Sequence, residues 1–72
     1  MIHPSAHVDP SAEIGPDVTI GPGVYIGPQV TIGADCVFHH HSSVVYNTRI
    51  GERCVVHPGA VLGGDPQDKK YR

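Results

Sequence analysis

Residues 12–33 read AEIGPDVTIGPGVYIGPQVTIG, and their spacing is the strongest signal in the chain. An isoleucine recurs every sixth residue, at Ile14, Ile20, Ile26 and Ile32, and a glycine follows each one. Two residues before each isoleucine stands a smaller apolar residue: Ala12, Val18, Val24 and Val30. Alternate residues of an extended segment point to the same side. The small residue and the isoleucine therefore face one interior, and the residue between them faces out. A Gly-Pro or Gly-polar step then turns the chain.

The same phase extends in both directions. Ile2 and Val8 precede the stretch, and Phe38, Val44, Ile50, Val56 and Leu62 follow it, giving eleven large apolar positions in register. The small slot continues as Ala6, Cys36, Ser42, Thr48, Cys54 and Ala60. Three such hexads close a triangular coil of 18 residues, and stacked coils sit ~4.8 Å apart with ladder hydrogen bonds between parallel strands. The expected fold class is all-β, a parallel β-helix of hexapeptide repeats with about four coils. A disordered Gly/Pro-rich tail or an ordinary small β domain would need eleven apolar residues to share one phase by accident. A hairpin meander would show signals such as Asn-Gly at irregular gaps, and none occurs.

Composition narrows the function. Seventy-two residues make one domain at most, and so short a chain is marginal unless stapled or oligomeric. Five basic and seven acidic residues leave a net charge of −2 with no basic run, which disfavours nucleic acid as a partner. No apolar stretch approaches the ~20 residues of a membrane span. The N-terminus, MIHPSAHVDP, has neither a basic nor an apolar signal-peptide region. Two cysteines without a secretory signal point to the cytoplasm.

The repeat fails at its end. The next large apolar residue is due at position 68, where Asp68 stands. Residues 64–72, GDPQDKKYR, are charged and lack the inward pattern. The reading is therefore a β-helix over residues 1–63 and a projecting loop over 64–72. A last coil ending in a charged excursion would expose an open sheet edge, so the chain reads as the front part of a longer protein.

The hexads, followed by Leu62-Gly63-Gly64-Asp65-Pro66-Gln67-Asp68-Lys69-Lys70-Tyr71, resemble the start of the UDP-N-acetylglucosamine O-acyltransferases of lipid A biosynthesis. That family carries a Pro-Gln-Asp-Leu-Lys-Tyr-like loop after its first coils, and Lys69 stands here in place of the leucine. The resemblance implies a left-handed β-helix, against the usual right-handed crossover rule. It also implies transfer of a 3-hydroxyacyl group from acyl carrier protein to the 3-hydroxyl of UDP-N-acetylglucosamine by a homotrimer whose sites lie between subunits. Asp68 would bind the sugar, with Gln67 beside it, and Lys70 would approach the phosphate. A carboxylate accepts from sugar hydroxyls, and an ammonium meets a diphosphate as a point charge. A solvated charged turn is the plainer reading of a bare Asp-Lys-Lys, and the surrounding motif favours ligand contact. The family's catalytic base is a histidine on a later coil, so no catalytic residue is expected within this chain. No cofactor is implied.

The six histidines fit structural roles. His39, His40 and His41 are consecutive and point in different directions, which does not suit convergent metal ligation. His39 and His57 are 18 residues apart and should stack as an exposed ladder. The His-x4-His spacing of γ-class carbonic anhydrases is missing, so no metal site is expected. His3 and His7 fall on the first, fraying coil. Cys36 and Cys54, also 18 apart, should be stacked inward thiols acting as small hydrophobes; their spacing also permits a disulfide. Tyr25, Tyr46 and Arg49 face outward, either as trimer contacts or as ordinary exposed side chains.

Three functions follow. The chain is the front of the lipid A acyltransferase. Otherwise it belongs to another hexapeptide enzyme: the pathway's N-acyltransferase, a small-molecule acetyltransferase or a γ-class carbonic anhydrase. The third reading is a non-catalytic β-helix module for assembly.

Overall fold

The computed structural model describes residues 1–63. Ten two-residue strands recur every six residues: β1 (His7–Val8), β2 (Glu13–Ile14), β3 (Thr19–Ile20), β4 (Tyr25–Ile26), β5 (Thr31–Ile32), β6 (Val37–Phe38), β7 (Ser43–Val44), β8 (Arg49–Ile50), β9 (Val55–Val56) and β10 (Val61–Leu62). Among the described residues there is no helix, hence none long and apolar enough to cross a membrane.

Each strand pairs in parallel with the strand three places on. The three resulting sheets are β1-β4-β7-β10, β2-β5-β8 and β3-β6-β9. Every register is a shift of 18, as in Tyr25 opposite Ser43 and Thr31 opposite Arg49. The parallel β-helix expected from the hexad is therefore the observed fold. Ten strands at three per coil make three and a third coils, and a bridge from Ile2 to Ile20 extends the third sheet downward. The expected fourth coil is thus only begun within residues 1–63.

The axis is filled as the alternation requires. Val18, Ile20, Val24, Ile26, Val30, Ile32, Cys36, Phe38, Val44 and Val56 form one buried cluster. Residues of the same slots in the end coils, including Val8, Ile14, Ile50 and Leu62, are only half-buried because, among the described residues, a coil covers them on one side. Ser42 is the one buried polar residue among those described. Its hydroxyl donates to the His39 carbonyl at 2.8 Å, which meets the requirement that a buried polar group be paired.

The corners carry a feature that the hexad did not announce. The residue before each small slot has a left-handed backbone at Asp17, Gly23, Gln29, Asp35, His41, Asn47, Arg53 and Gly59. At Asp17, Gly23, Gln29 and Gly59 a proline stands one place earlier, and with positive φ here that is the pattern of a type II turn. The N–H of this residue bridges coils: Asp35 donates to the Pro16 carbonyl at 3.0 Å and Arg53 to that of Ala34 at 2.8 Å. In the first coil Ser5 and Ser11 take over the accepting role. Their hydroxyls accept from Gly23 N at 3.1 Å and from Gln29 N at 2.9 Å.

Candidate functional site

Gln67, Asp68 and Lys70, the expected substrate-binding residues, lie outside the described residues, as does the whole segment 64–72. The structure does fix the last described residue, Gly63. After β10 the backbone turns at Gly63 with φ +89, and the Gly63 α-carbon rests against the Thr48 side chain. A side chain at Gly63 would strike the Thr48 hydroxyl. That hydroxyl donates to the Tyr46 carbonyl at 2.7 Å, which fixes its position at the corner between β7 and β8.

Thr48 also borders a polar groove of 410 Å³ with Gln29, Thr31, Asn47 and Arg49. Gln29 and Asn47 occupy the same corner in successive coils, and Thr31 and Arg49 are register partners on β5 and β8. Gly63 and this groove are therefore neighbours through Thr48. A second cavity, of 430 Å³, opens at the last described coil. Its walls are the axis residues Ile50, Cys54, Val56, Ala60 and Leu62, with Arg49 and His57 among its lining. It is apolar because these slots face the prism axis.

The histidines form the ladder that their spacing predicted. The rings of His39 and His57 lie 6.5 Å apart and within 10° of parallel, and both residues are exposed. His40 meets His41 edge-on at 5.5 Å, and the His41 ring lies over Gly23. Among the described residues no three His, Cys, Asp or Glu side chains converge as metal ligands. One aromatic pair was missed: His7 stacks on Tyr25 at 5.1 Å, 7° from parallel. Its 18-residue separation on outward strand positions was the available signal.

The two thiols differ more than their shared slot suggests. Cys36 is buried; its thiol donates to the Gly51 carbonyl at 3.0 Å and accepts from Cys54 N at 3.4 Å. Cys54 is only half-buried and lines the open cavity, a correction to the expectation that both are interior. Both are free thiols. Of the outward residues, Tyr25 and Tyr46 are 39% and 37% exposed, and Arg49 is exposed. Asp9 is the one described group with a resolved titration shift. Hydrogen bonds from the Ser11 hydroxyl at 2.7 Å and the Ser11 N–H at 2.9 Å hold its carboxyl below the ordinary range.

Comparison with known proteins gives one family. Residues 1–67 match the GMPPB C-terminal domain, covering every described strand. No curated protein and no solved structure matches the chain. With nearly its whole length matched, and with its hexads stacked as a parallel β-helix, the chain belongs to the GMPPB C-terminal domain family.

Proposed function

We propose that the chain is the front part of a UDP-N-acetylglucosamine 3-O-acyltransferase of lipid A biosynthesis, working as a homotrimer in the cytoplasm with acyl carrier protein as acyl donor. The observation that carries this reading is Pro66-Gln67-Asp68-Lys69-Lys70-Tyr71 standing directly after an in-phase hexad prism. The prism supplies a rigid frame, and its last described residue, Gly63, stands beside a polar corner. Asp68 accepts hydrogen bonds from the sugar hydroxyls, Gln67 supports it, and Lys70 meets the diphosphate. The general base that deprotonates the sugar hydroxyl lies beyond these residues, so this chain alone binds without catalysing.

The test is calorimetric titration of the 72-residue chain with UDP-N-acetylglucosamine. Binding is expected, and Asp68→Asn weakens it about 10- to 100-fold, because a hydrogen bond to a charged group is worth about 1.5–3 kcal/mol. Binding that ignores Asp68→Asn overturns the role of the loop. The family match favours a second reading, a β-helix module attached to a nucleotidyltransferase and serving assembly. Self-association of the chain without any affinity for UDP-N-acetylglucosamine selects that reading.

A further inference from the structure

We propose that the groove over β5 and β8 is itself a binding site, and that its ligand is a small sugar phosphate. The assignment uses described residues between Ser11 and Arg49 and does not rest on the loop reading above. The groove is open to solvent, and its volume of 410 Å³ lies within the range of about 300–1,000 Å³ usual for small-molecule sites.

Its lining is rich in hydrogen-bonding capacity with no internal use. The backbone N–H groups of Gln29 and Asn47 are taken by the Ser11 hydroxyl at 2.9 Å and the Pro28 carbonyl at 3.1 Å. Among the described residues their carboxamides make no hydrogen bond, and neither does the Thr31 hydroxyl. The one ion pair among those residues joins Arg53 to Glu52, so the Arg49 guanidinium meets no carboxylate among them. The Thr48 hydroxyl has given its proton to Tyr46 and keeps its lone pairs for accepting.

The chemistry selects the ligand class. A guanidinium presents parallel N–H donors that match a phosphate in a bidentate manner. Each carboxamide offers a donor and an acceptor, the complement of a hydroxyl, which is also both. No aromatic side chain lines the groove, so a nucleobase has nothing to stack on, and an acyl chain finds no apolar floor. A phosphate joined to several hydroxyls satisfies the set. Its orientation follows from the column Glu13, Thr31, Arg49. Glu13 stands two coils below Arg49, about 10 Å away at the ordinary coil spacing. Its negative charge disfavours an anion at the lower end. The phosphate therefore sits at Arg49, with the hydroxyls toward Gln29 and Asn47.

The experiment is an NMR titration of the ¹⁵N-labelled 72-residue chain with glucose 6-phosphate, with inorganic phosphate and free glucose as separate arms. Shift changes are expected at the amides of residues 29–31 and 47–49, and each half-ligand should bind about tenfold more weakly. Arg49→Gln should lower affinity for glucose 6-phosphate about tenfold. Asn47→Gly removes a carboxamide while keeping the left-handed backbone open to glycine; it should weaken binding several-fold with the spectrum otherwise intact. Asp68→Asn should leave this affinity unchanged, which separates the groove from the loop. The proposal is overturned by no shifts at the groove, by inorganic phosphate binding as well as the sugar phosphate, by indifference to Arg49→Gln, or by loss of binding in Asp68→Asn.

Discussion

Replacing Gly27 by alanine should strain the prism severely, whereas the same change at Gly51 should be harmless. Both glycines follow the large residue of their hexad, so the repeat makes them equivalent. Their surroundings do not. Gly27 is buried, its N–H donates to the Val44 carbonyl at 2.8 Å, and a methyl group there would land on the carbonyl oxygen of Val45 in the next coil. That carbonyl cannot swing aside freely, because the adjoining Val45 N–H is bound to the Leu62 carbonyl at 3.0 Å. Overpacking costs about 1–3 kcal/mol, and losing one ladder hydrogen bond adds about 1 kcal/mol. The total is about 2–4 kcal/mol. Among the described residues nothing lies within 4 Å of the corresponding methyl position at Gly51, and its φ is outside the left-handed region. Alanine there restricts the unfolded chain and should stabilise by about 0.4–1 kcal/mol. A chain of this size shifts its Tm by about 4–8 °C per kcal/mol. Gly27→Ala should therefore melt about 8–30 °C lower, and Gly51→Ala a few degrees higher. Thermal unfolding followed by far-UV circular dichroism reads both. Equal shifts in the two variants would refute the close approach of the second and third coils at Gly27.

Two further outcomes follow from the ends of the prism. The Asp9 carboxyl is held below its ordinary value first by the Ser11 hydroxyl and then by the Ser11 N–H. A lowered folded-state value stabilises above the unfolded pKa, about 3.9, and that stability is lost as pH falls through the folded value. The difference in urea midpoint between the wild type and Asp9→Asn should thus hold steady from neutral pH to about pH 4 and vanish in stronger acid; a pH-independent difference contradicts it. Alkylation of the native chain should label Cys54 before Cys36, since only Cys54 reaches the open cavity. Peptide mass mapping showing Cys36 labelled first would sink that assignment.

The axis residues were legible because burial on a β-helix follows a strict alternation, and Val18 through Phe38 sit where the phase placed them. The left-handed corner was not legible, although it recurs at eight successive hexads. Asp17, Asp35, His41, Asn47, Gly23 and Gly59 are types that tolerate positive φ, but Gln29 and Arg53 are not, and they broke the pattern. Hydrogen bonds between coils, from Gln29 N to the Ser11 hydroxyl and from Arg53 N to the Ala34 carbonyl, hold these two in place despite their local preference. The polar groove was equally hidden. Gln29 and Arg49 stand 20 residues apart and meet only because one offset of 18 stacks their coils and a further two residues cross a corner.

The period of six is a property of neighbouring residues, so the sequence alone determined the strands, the corners, the inward set and the 18-residue columns, including the His39–His57 ladder. Whether a residue in a given column is enclosed depends on a coil above and a coil below, which no local pattern contains. Tertiary structure therefore separated Cys36 from Cys54 and Gly27 from Gly51. It also set Gly63 against Thr48, beside the groove, because only stacking brings the backbones of successive coils within van der Waals reach.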